Sequence, residues 1–419
     1  MKVISFLGFN QYGYTETTYV NPDKTKKFKT AIFQEAIVDF YKPDAVYVLL
    51  TKTAKEGISN NATESTWETL KKSLEGKVDL HSIENIPEGH TTEDIWQLFE
   101  KLTSFIEQDD EVLFDITHGF RSLPVLALIA VSYLRVVRNV KIVGLIYGAF
   151  DAKNKETNET PTFDLLPIVG LLQWTTATDQ FIKTGNGQVL ASLLKGGETS
   201  TQNLGDSINA ISKGLQLLRP MDVMQESSLL PDRIKEATKS ISKTIPPFAT
   251  LLKRVQDDYG KFGLNNPSDY QTNSKLALAR QVEIIEWYSS KGQVVQALSL
   301  AREWLPSLLC HHFDLDPLIE NPNRSEMEFL LSSSGMLKDR VTNEIIKQSP
   351  YREQWLAVPN DKRTPLTRLW GGGINLANLR NDVLHAGFRR NSRNADAVIQ
   401  QLEIVIRELK VIAKLWELN

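Results

Sequence analysis

The chain has 419 residues but only one cysteine, Cys310, and no long hydrophobic run. A single cysteine cannot form an internal disulfide, which fits a reducing cytoplasm. The longest nearly uncharged apolar run, residues 123–134, has 12 residues and falls short of the ~20 that span a bilayer. The first residues also lack the apolar core of a secretory signal. The sequence therefore predicts a cytoplasmic protein with no membrane partner.

Charge of either sign is not in excess, because 48 Lys and Arg stand against 51 Asp and Glu, a formal net charge of -3. A nucleic-acid ligand would therefore have to meet a local basic patch rather than a basic protein. Neither a G-x-G-x-x-G nor a G-x-x-x-x-G-K-[ST] segment occurs, which argues against a dehydrogenase or an ATPase. The hydrophobic fraction of 41% is that of an ordinary globular protein and excludes wholesale disorder.

The first part of the chain alternates between strand and helix patterns. Apolar runs rich in Val, Ile, Leu and aromatic residues predict strands, and the segments between them predict helices, which indicates βαβ crossovers. Predicted strands are 2–7, 45–50, 111–116, 140–147 and 162–166, and predicted helices are 28–40, 63–73, 91–107 and 122–137. We therefore expect an α/β fold here, a Rossmann-like parallel sheet with helices on both faces.

The pattern changes after Pro167, where strand runs give way to helical periodicity. The sequence predicts a Rossmann-like ligand-binding domain at 1–166, a helical coupling region at 167–218 and an all-α domain at 219–419.

A turn rich in small and polar residues, DITHGFRSLP at 115–124, follows a predicted buried strand and opens a helix. A helix N-terminus attracts anions, Gly119 lets backbone N–H groups approach a ligand, and Arg121 matches a phosphate. Thr117 and Ser122 offer hydroxyls, and His118 could contact a base or phosphate or cap the helix. The simpler alternative is a plain connection in which Ser122 is the N-cap and Arg121 faces solvent.

The ends of other parallel strands would line the same crevice as this turn. We expect Gly8, Phe9 and Asn10 to follow the first strand there, and Thr51 and Lys52 to follow the second. Tyr147 and Gly148, which close a later strand, are weaker candidates.

A second polar constellation lies near the carboxyl end, where Arg380, Asn381 and His385 share a predicted helix that a basic cluster follows. A histidine suits proton transfer, and an arginine stabilises the charge of a reacting phosphate. At ~100° per residue, Arg380 and His385 point in different directions on a straight helix. Either the helix ends or bends at 385–387, or two copies of the segment meet across a dimer. The alternative without catalysis is a surface helix with a capping histidine.

Together these segments resemble a known family. DITHGFRSLP resembles the ligand-binding turn of CARF domains (CRISPR-associated Rossmann fold), and IYGAFD at 146–151 is a softer cue from the same group. The segment with Arg380 and His385 resembles the signature of HEPN ribonucleases. A CARF domain followed by a helical HEPN domain is the layout of the Csx and Csm-type accessory ribonucleases of type III CRISPR systems.

The resemblance implies a ribonuclease of antiviral defence that a cyclic oligoadenylate activates by binding across a homodimer. By position, the ring would contact Gly8, Phe9, Asn10, Thr51, Lys52, Thr117, His118, Gly119, Arg121 and Ser122. Arg380 and His385 of both subunits, assisted by Asn381, would cleave single-stranded RNA and not DNA. Attack by the 2′-OH of the RNA needs no metal or cofactor and leaves a 2′,3′-cyclic phosphate. The ring size, the RNA base preference and further assembly of the dimer stay open.

Two other functions stay open beside this one. The chain could be a non-catalytic nucleotide sensor whose helical half regulates a partner, although the intact Arg380, Asn381 and His385 argue against it. It could also be a self-limiting enzyme whose α/β domain cleaves its own activator. The neighbouring His311 and His312 fit no metal-binding spacing, and we expect them to cap or pack a helix end.

Overall fold

The computed structural model describes residues 1–119, 123–244, 247–388 and 390–418. The chain divides into two compact units, Met1–Leu172 and Gln173–Asn419. Strands of the first unit are β1 (Lys2–Leu7), β2 (Thr17–Val20), β3 (Lys27–Thr30), β4 (Ala45–Leu50), β5 (Asp79–Ile83), β6 (Glu111–Asp115), β7 (Lys141–Gly148) and β8 (Glu159–Asp164). Helices of the first unit are α1 (Phe33–Tyr41), α2 (Lys52–Glu56), α3 (Thr66–Leu74), α4 (Thr92–Ser104) and α5 (Leu123–Arg138).

The sheet of the first unit has the strand order β3-β2-β8-β7-β6-β1-β4-β5. Its five strands from β7 to β5 are parallel to one another, whereas β8 pairs with β7 and β3 pairs with β2 in antiparallel fashion. The inner strands of the parallel part, β1, β4, β6 and β7, are mostly buried, which confirms the predicted Rossmann-like α/β fold. The strand order reverses direction at β1, between β4 and β6, and this is where open α/β sheets bind ligands.

Alternate residues of the strands pack into two separate hydrophobic cores, one on each face of the sheet. Ile4 and Phe6 of β1 pack on one face of the sheet with apolar residues of α4 and α5. Val3 and Leu7 pack on the other face with apolar residues of α1 and α3. This alternation follows from the two-residue period of a strand, and it holds the carboxyl ends of β1 and β6 in fixed positions.

Three strands described in the first unit, β2, β3 and β5, were not predicted from the sequence. The predicted helix 28–40 begins only at Phe33, because residues Lys27–Thr30 form β3 and pair with β2. The third missed strand, β5, extends the parallel sheet beyond β4. The polar segment after β7 is a turn that leads into the antiparallel strand β8.

As far as the structure describes it, the second unit is helical apart from one small hairpin. Its helices are α6 (Leu166–Thr184, which begins in the first unit), α7 (Gln188–Lys195), α8 (Thr199–Gln216), α9 (Pro220–Thr244), α10 (Phe248–Tyr259), α11 (Tyr270–Ser290), α12 (Val294–His312), α13 (Ser325–Ser333), α14 (Arg352–Ala357), α15 (Asn360–Trp370), α16 (Leu376–Leu384) and α17 (Ala395–Leu415). The hairpin joins β9 (Met336–Lys338) to β10 (Ile345–Gln348). The carboxyl-terminal region is thus predominantly helical, as predicted, and the exposed hairpin is an addition to it.

One continuous hydrophobic core holds the second unit together. Residues of α11, α12 and α17 contribute to it, and Trp304 and Tyr288 are among its largest buried side chains. Leu376 and Leu379 of α16 are also part of this core, which fixes the helix that carries Arg380. Among the described residues, none of the helices is long and apolar enough to cross a membrane.

Candidate functional site

A buried polar network ties the ends of two neighbouring strands together beneath the crevice. The Ser5 hydroxyl donates a hydrogen bond of 2.6 Å to Asp115, whose other carboxylate oxygen accepts one of 2.9 Å from the backbone N–H of Thr117. Asp115 is completely buried, and burial raises the pKa of its carboxyl to about 6, although these hydrogen bonds oppose the rise. The Thr117 hydroxyl accepts a hydrogen bond of 2.8 Å from the N–H of Gly148, which links β7 to the same turn.

The His118 imidazole is half-buried beside Tyr14. Its ring contacts the Tyr14 ring with centroids 4.5 Å apart, and its Nε2 has no hydrogen-bond partner within the described part of the chain. Burial lowers the pKa of His118 to about 4, so the ring is neutral at physiological pH. A neutral imidazole next to an open space can accept or donate a hydrogen bond to a ligand.

Two cavities open at the carboxyl ends of the parallel strands. The first, of about 240 Å³, has a lining that includes Asn10, Tyr14, Thr117, His118, Tyr147 and Gly148. The second, of about 260 Å³, has a lining that includes Gly8, Phe9, Thr51, Thr53, Glu88 and Gly119. A side-chain carbon placed on Gly8 would lie 3.8 Å from the backbone nitrogen of Gly119, so the two strand ends are close neighbours.

The structure brings most of the predicted ligand residues to these cavities. Gly8, Phe9, Asn10, Thr51, Thr117, His118 and Gly119 all line one or the other. Lys52 is instead an exposed residue at the start of α2, where Thr51 is the N-cap. Arg121 and Ser122 lie outside the described residues, so their predicted contacts stay predictions.

Sequence reasoning missed several residues of the crevice. Tyr14 follows an irregular segment with no strand pattern, and Glu88 lies in the loop after the unpredicted strand β5. The segment IYGAFD does contribute, because Tyr147, Gly148 and Phe150 line the first cavity.

The helix with the second constellation ends at the predicted place. Helix α16 stops at Leu384, and His385 is its C-cap residue, with its N–H bonded to the Asn381 carbonyl oxygen at 3.0 Å. Ala386 and Gly387 have positive φ angles of 52° and 72°, and they turn the chain away from the helix axis. Of the two geometries left open by the sequence, a helix that ends at 385–387 is therefore present in a single chain.

Arg380 and Asn381 are in direct contact, whereas His385 is separate from them. The Arg380 guanidinium donates a hydrogen bond of 2.9 Å to the Asn381 side-chain oxygen and lies 3.5 Å from a carboxylate oxygen of Glu303 on α12. The His385 side chain is exposed, and no side-chain hydrogen bond among the described residues joins it to Arg380 or Asn381. One chain therefore presents an arginine–asparagine pair and, at the end of the same helix, an accessible imidazole.

The loop after His385 is anchored to the helix by a buried carboxylate. Asp382 is 5% exposed and accepts a hydrogen bond of 3.1 Å from the backbone N–H of Arg393. This contact holds Arg393 of the basic cluster beside α16, whereas Arg390 is exposed and Arg389 lies outside the described residues.

Three neighbouring residues with reactive side chains, Cys310, His311 and His312, lie at the end of α12. His311 and His312 end α12, where His311 bonds to the Ser274 hydroxyl at 2.8 Å and His312 packs edge-on against Trp416. The predicted capping or packing role of these histidines is confirmed. Cys310 is buried, and burial raises the pKa of its thiol to about 11, which makes it a poor nucleophile. No cluster of metal-binding side chains occurs among the described residues.

Two family descriptions match parts of the chain. Residues 2–151 match the CARF domain of CRISPR system endoribonuclease Csx1, and residues 170–270 match the second domain of CRISPR-associated protein MJ1674. CRISPR-associated protein MJ1674 of Methanocaldococcus jannaschii is 28% identical over 325 residues, which are 77% of this chain and 45% of that protein. The chain thus spans about half the length of this curated relative.

A solved structure also resembles the whole chain at low similarity. Enterococcus italicus Csm6 bound to cyclic hexa-2'-fluoro-hexa-dAMP is 11% identical with a TM-score of 0.49, and the alignment covers 99% of this chain and 94% of that chain. The match to the Csx1 CARF domain covers the crevice, because residues 2–151 include both β1 and the turn after β6.

Proposed function

We propose that this CARF-containing accessory protein of type III CRISPR systems is an endoribonuclease that a cyclic oligoadenylate activates. It would cleave single-stranded RNA without a metal, by attack of the 2′-OH, and leave 2′,3′-cyclic phosphate and 5′-hydroxyl ends. The observation that carries the proposal is the coincidence of the CARF match with the crevice at β1 and β6. The helical unit supplies the arginine, asparagine and histidine that the chemistry needs.

The crevice has the chemistry that a nucleotide ring requires. Backbone N–H groups near Gly8 and Gly119 can approach phosphates closely, because neither residue has a side chain. Tyr14, Tyr147 and Phe9 offer aromatic surface against which adenine can stack. The neutral His118 can form a hydrogen bond with a base or a sugar hydroxyl.

An exposed apolar face on α5 supports a homodimer. Val125, Ile129 and Val136 are 59%, 51% and 86% exposed, and Tyr133 lies among them on the same face of the helix. A contiguous apolar surface of this kind favours association with another protein surface. Since α5 begins just after the ligand-binding turn, a second copy packed along this face would bring a second crevice beside the first.

The proposed chemistry assigns one task to each residue of the helical site. The exposed His385 would transfer protons to and from the RNA, and Arg380 would stabilise the negative charge that develops on the reacting phosphate. Asn381 would orient the guanidinium through its hydrogen bond to Arg380. Because His385 is separate from Arg380 in one chain, the complete site would combine residues of two copies.

The proposal is tested by cleavage of a fluorogenic single-stranded RNA in the presence of EDTA, with and without cyclic tetra-adenylate or cyclic hexa-adenylate. We expect cleavage only with one of the two rings, and no cleavage of a DNA copy of the substrate. Tight binding of a ring without cleavage would instead indicate a non-catalytic sensor. Loss of the ring itself during the incubation would indicate the self-limiting enzyme. Absence of both binding and cleavage would refute the proposal.

A further inference from the structure

The carboxylate of Glu303 is the meeting point of three arginines. Its two oxygens lie 2.8 Å from Arg302, 2.6 Å from Arg324 and 3.5 Å from Arg380. Arg302 is the neighbouring residue on α12, Arg324 precedes α13, and Arg380 lies on α16. One side chain thus connects the proposed catalytic arginine to two other segments of the helical unit.

The two shorter contacts hold the Glu303 carboxylate in place independently of Arg380. Arg324 also donates hydrogen bonds to the Ser307 hydroxyl at 2.8 Å and to the Glu303 backbone carbonyl at 3.2 Å. Because Arg324 is itself anchored by these bonds, Glu303 offers Arg380 a fixed acceptor rather than a mobile one.

The carboxylate is ionised and therefore attracts the guanidinium strongly. Burial alone would raise the pKa of Glu303, but the surrounding arginines outweigh burial and lower the pKa below its ordinary value. The Glu303 side chain is 44% exposed and that of Arg380 is 23% exposed, so a ligand can still reach the pair.

The contacts of Arg380 leave part of its guanidinium available. One terminal nitrogen bonds to Asn381 and the other faces Glu303, and each of these nitrogens carries a second N–H. Two N–H groups can therefore still bind a phosphate, while Asn381 and Glu303 fix the plane of the fork. A guanidinium that is oriented before the substrate arrives loses less entropy when it binds the transition state.

We propose that Glu303 is a positioning residue, which orients the Arg380 guanidinium for the reacting phosphate of the RNA. This inference rests on the proposed function, because Arg380 has a phosphate to bind only if the protein cleaves RNA. Glu303 would act through Arg380 and would not contact the substrate.

The test compares Glu303→Gln with the matched control Glu328→Gln in the presence of the activating ring. Both variants remove one negative charge from the same ion-pair cluster, but Glu328 contacts Arg302 and not Arg380. We expect kcat to fall roughly tenfold in Glu303→Gln with little change in KM, and to stay within about twofold of wild type in Glu328→Gln. In an Arg380→Lys background, Glu303→Gln should cause no further loss, because the fork that it orients is absent.

Each outcome of this test bears on one proposal. Equal kcat values for Glu303→Gln and Glu328→Gln would overturn the inference and leave the ribonuclease intact. A wild-type protein that cleaves no RNA with either ring would remove the proposed function and the inference with it. If Glu303→Gln does not fold, Glu303→Asp takes its place in the test. Aspartate keeps the negative charge but is one methylene shorter, so its carboxylate lies farther from Arg380. That variant should also lose kcat, and a wild-type kcat would overturn the inference.

Discussion

The ring of Tyr14 lies against the ring of His118, with centroids 4.5 Å apart and planes tilted by 45°. The Tyr14 hydroxyl also donates a hydrogen bond of 2.8 Å to the Gly8 carbonyl oxygen. Tyr14 therefore joins the segment after β1 to the turn after β6, and it forms a wall of the first cavity. A ligand in this crevice would meet a prearranged surface rather than two independent loops.

Replacement of Tyr14 should weaken binding of the activating ring. We expect Tyr14→Ala to raise the Kd about tenfold, because it removes a stacking surface worth ~1–3 kcal/mol. Tyr14→Phe keeps the ring and loses only the bond to Gly8, so its Kd should rise far less. Isothermal titration with cyclic tetra- and hexa-adenylate measures both. Tyr12→Ala is the control, since this neighbouring tyrosine is 83% exposed and does not line the cavity; equal effects at Tyr12 and Tyr14 would contradict the assignment.

The buried carboxyl of Asp115 should make stability depend on pH. Its folded-state pKa of about 6 lies above the ordinary value of 3.8, so the folded chain binds more protons between these two values. Stability should therefore fall as the pH rises from about 4 to about 6, by on the order of 3 kcal/mol, and then level off.

Comparison of Asp115→Asn with wild type isolates the contribution of Asp115, because all other groups titrate in both proteins and cancel in the difference. We expect the difference in Tm between variant and wild type to shift in favour of the variant as the pH rises from 4 to 7. Thermal unfolding followed by circular dichroism across that range measures it. A difference that does not change with pH would show that Asp115 does not titrate there.

Loss of the proposed catalytic residues should separate cleavage from activator binding. We expect His385→Ala and Arg380→Ala each to slow RNA cleavage by about 10³-fold, the size of a lost acid–base or charge-stabilising group. The Kd for the ring should stay unchanged in both variants. His90→Ala replaces an exposed histidine of the first unit and serves as the control. Cleavage at the wild-type rate by His385→Ala would remove the mechanism.

A charge on the apolar face of α5 should disrupt the proposed dimer. We expect Val136→Glu to give monomers at concentrations at which the wild type is dimeric, as sedimentation velocity would show. Val341→Glu places the same charge on another valine, 93% exposed and in the turn of the small hairpin, and should leave the dimer intact. If both variants stay dimeric, the subunits associate through another surface.

The sequence predicted the buried parallel strands well and the strands toward the sheet edges poorly. The bounds of β1 and β4 agree with the predicted ones because continuous apolar residues mark strands that are buried on both faces. Strand β3 was missed because its four residues KFKT carry alternating lysines, and pairing with β2 rather than local propensity makes it a strand.

Some residues of the candidate sites could also be predicted from the sequence, and others could not. The place of Thr117, His118 and Gly119 at the crevice could be predicted because they follow a buried strand directly. Glu303 could not, since its contact with Arg380 depends on the packing of α12 against α16 across a long stretch of sequence. Contacts of this kind have no periodicity or spacing that a sequence displays.

The two outermost strands of the sheet bear on how copies of the protein can associate. An unpaired strand edge is a template on which another molecule can add its own strand, and repetition gives fibres. Here one outer strand, β3, is only four residues long and carries Lys27 and Lys29, while the other, β5, begins with the charged Asp79. Short, charged edges discourage this open-ended addition of strands. The proposed dimer face on α5 would then direct association, and a self-complementary helix face gives a closed pair that stops growing.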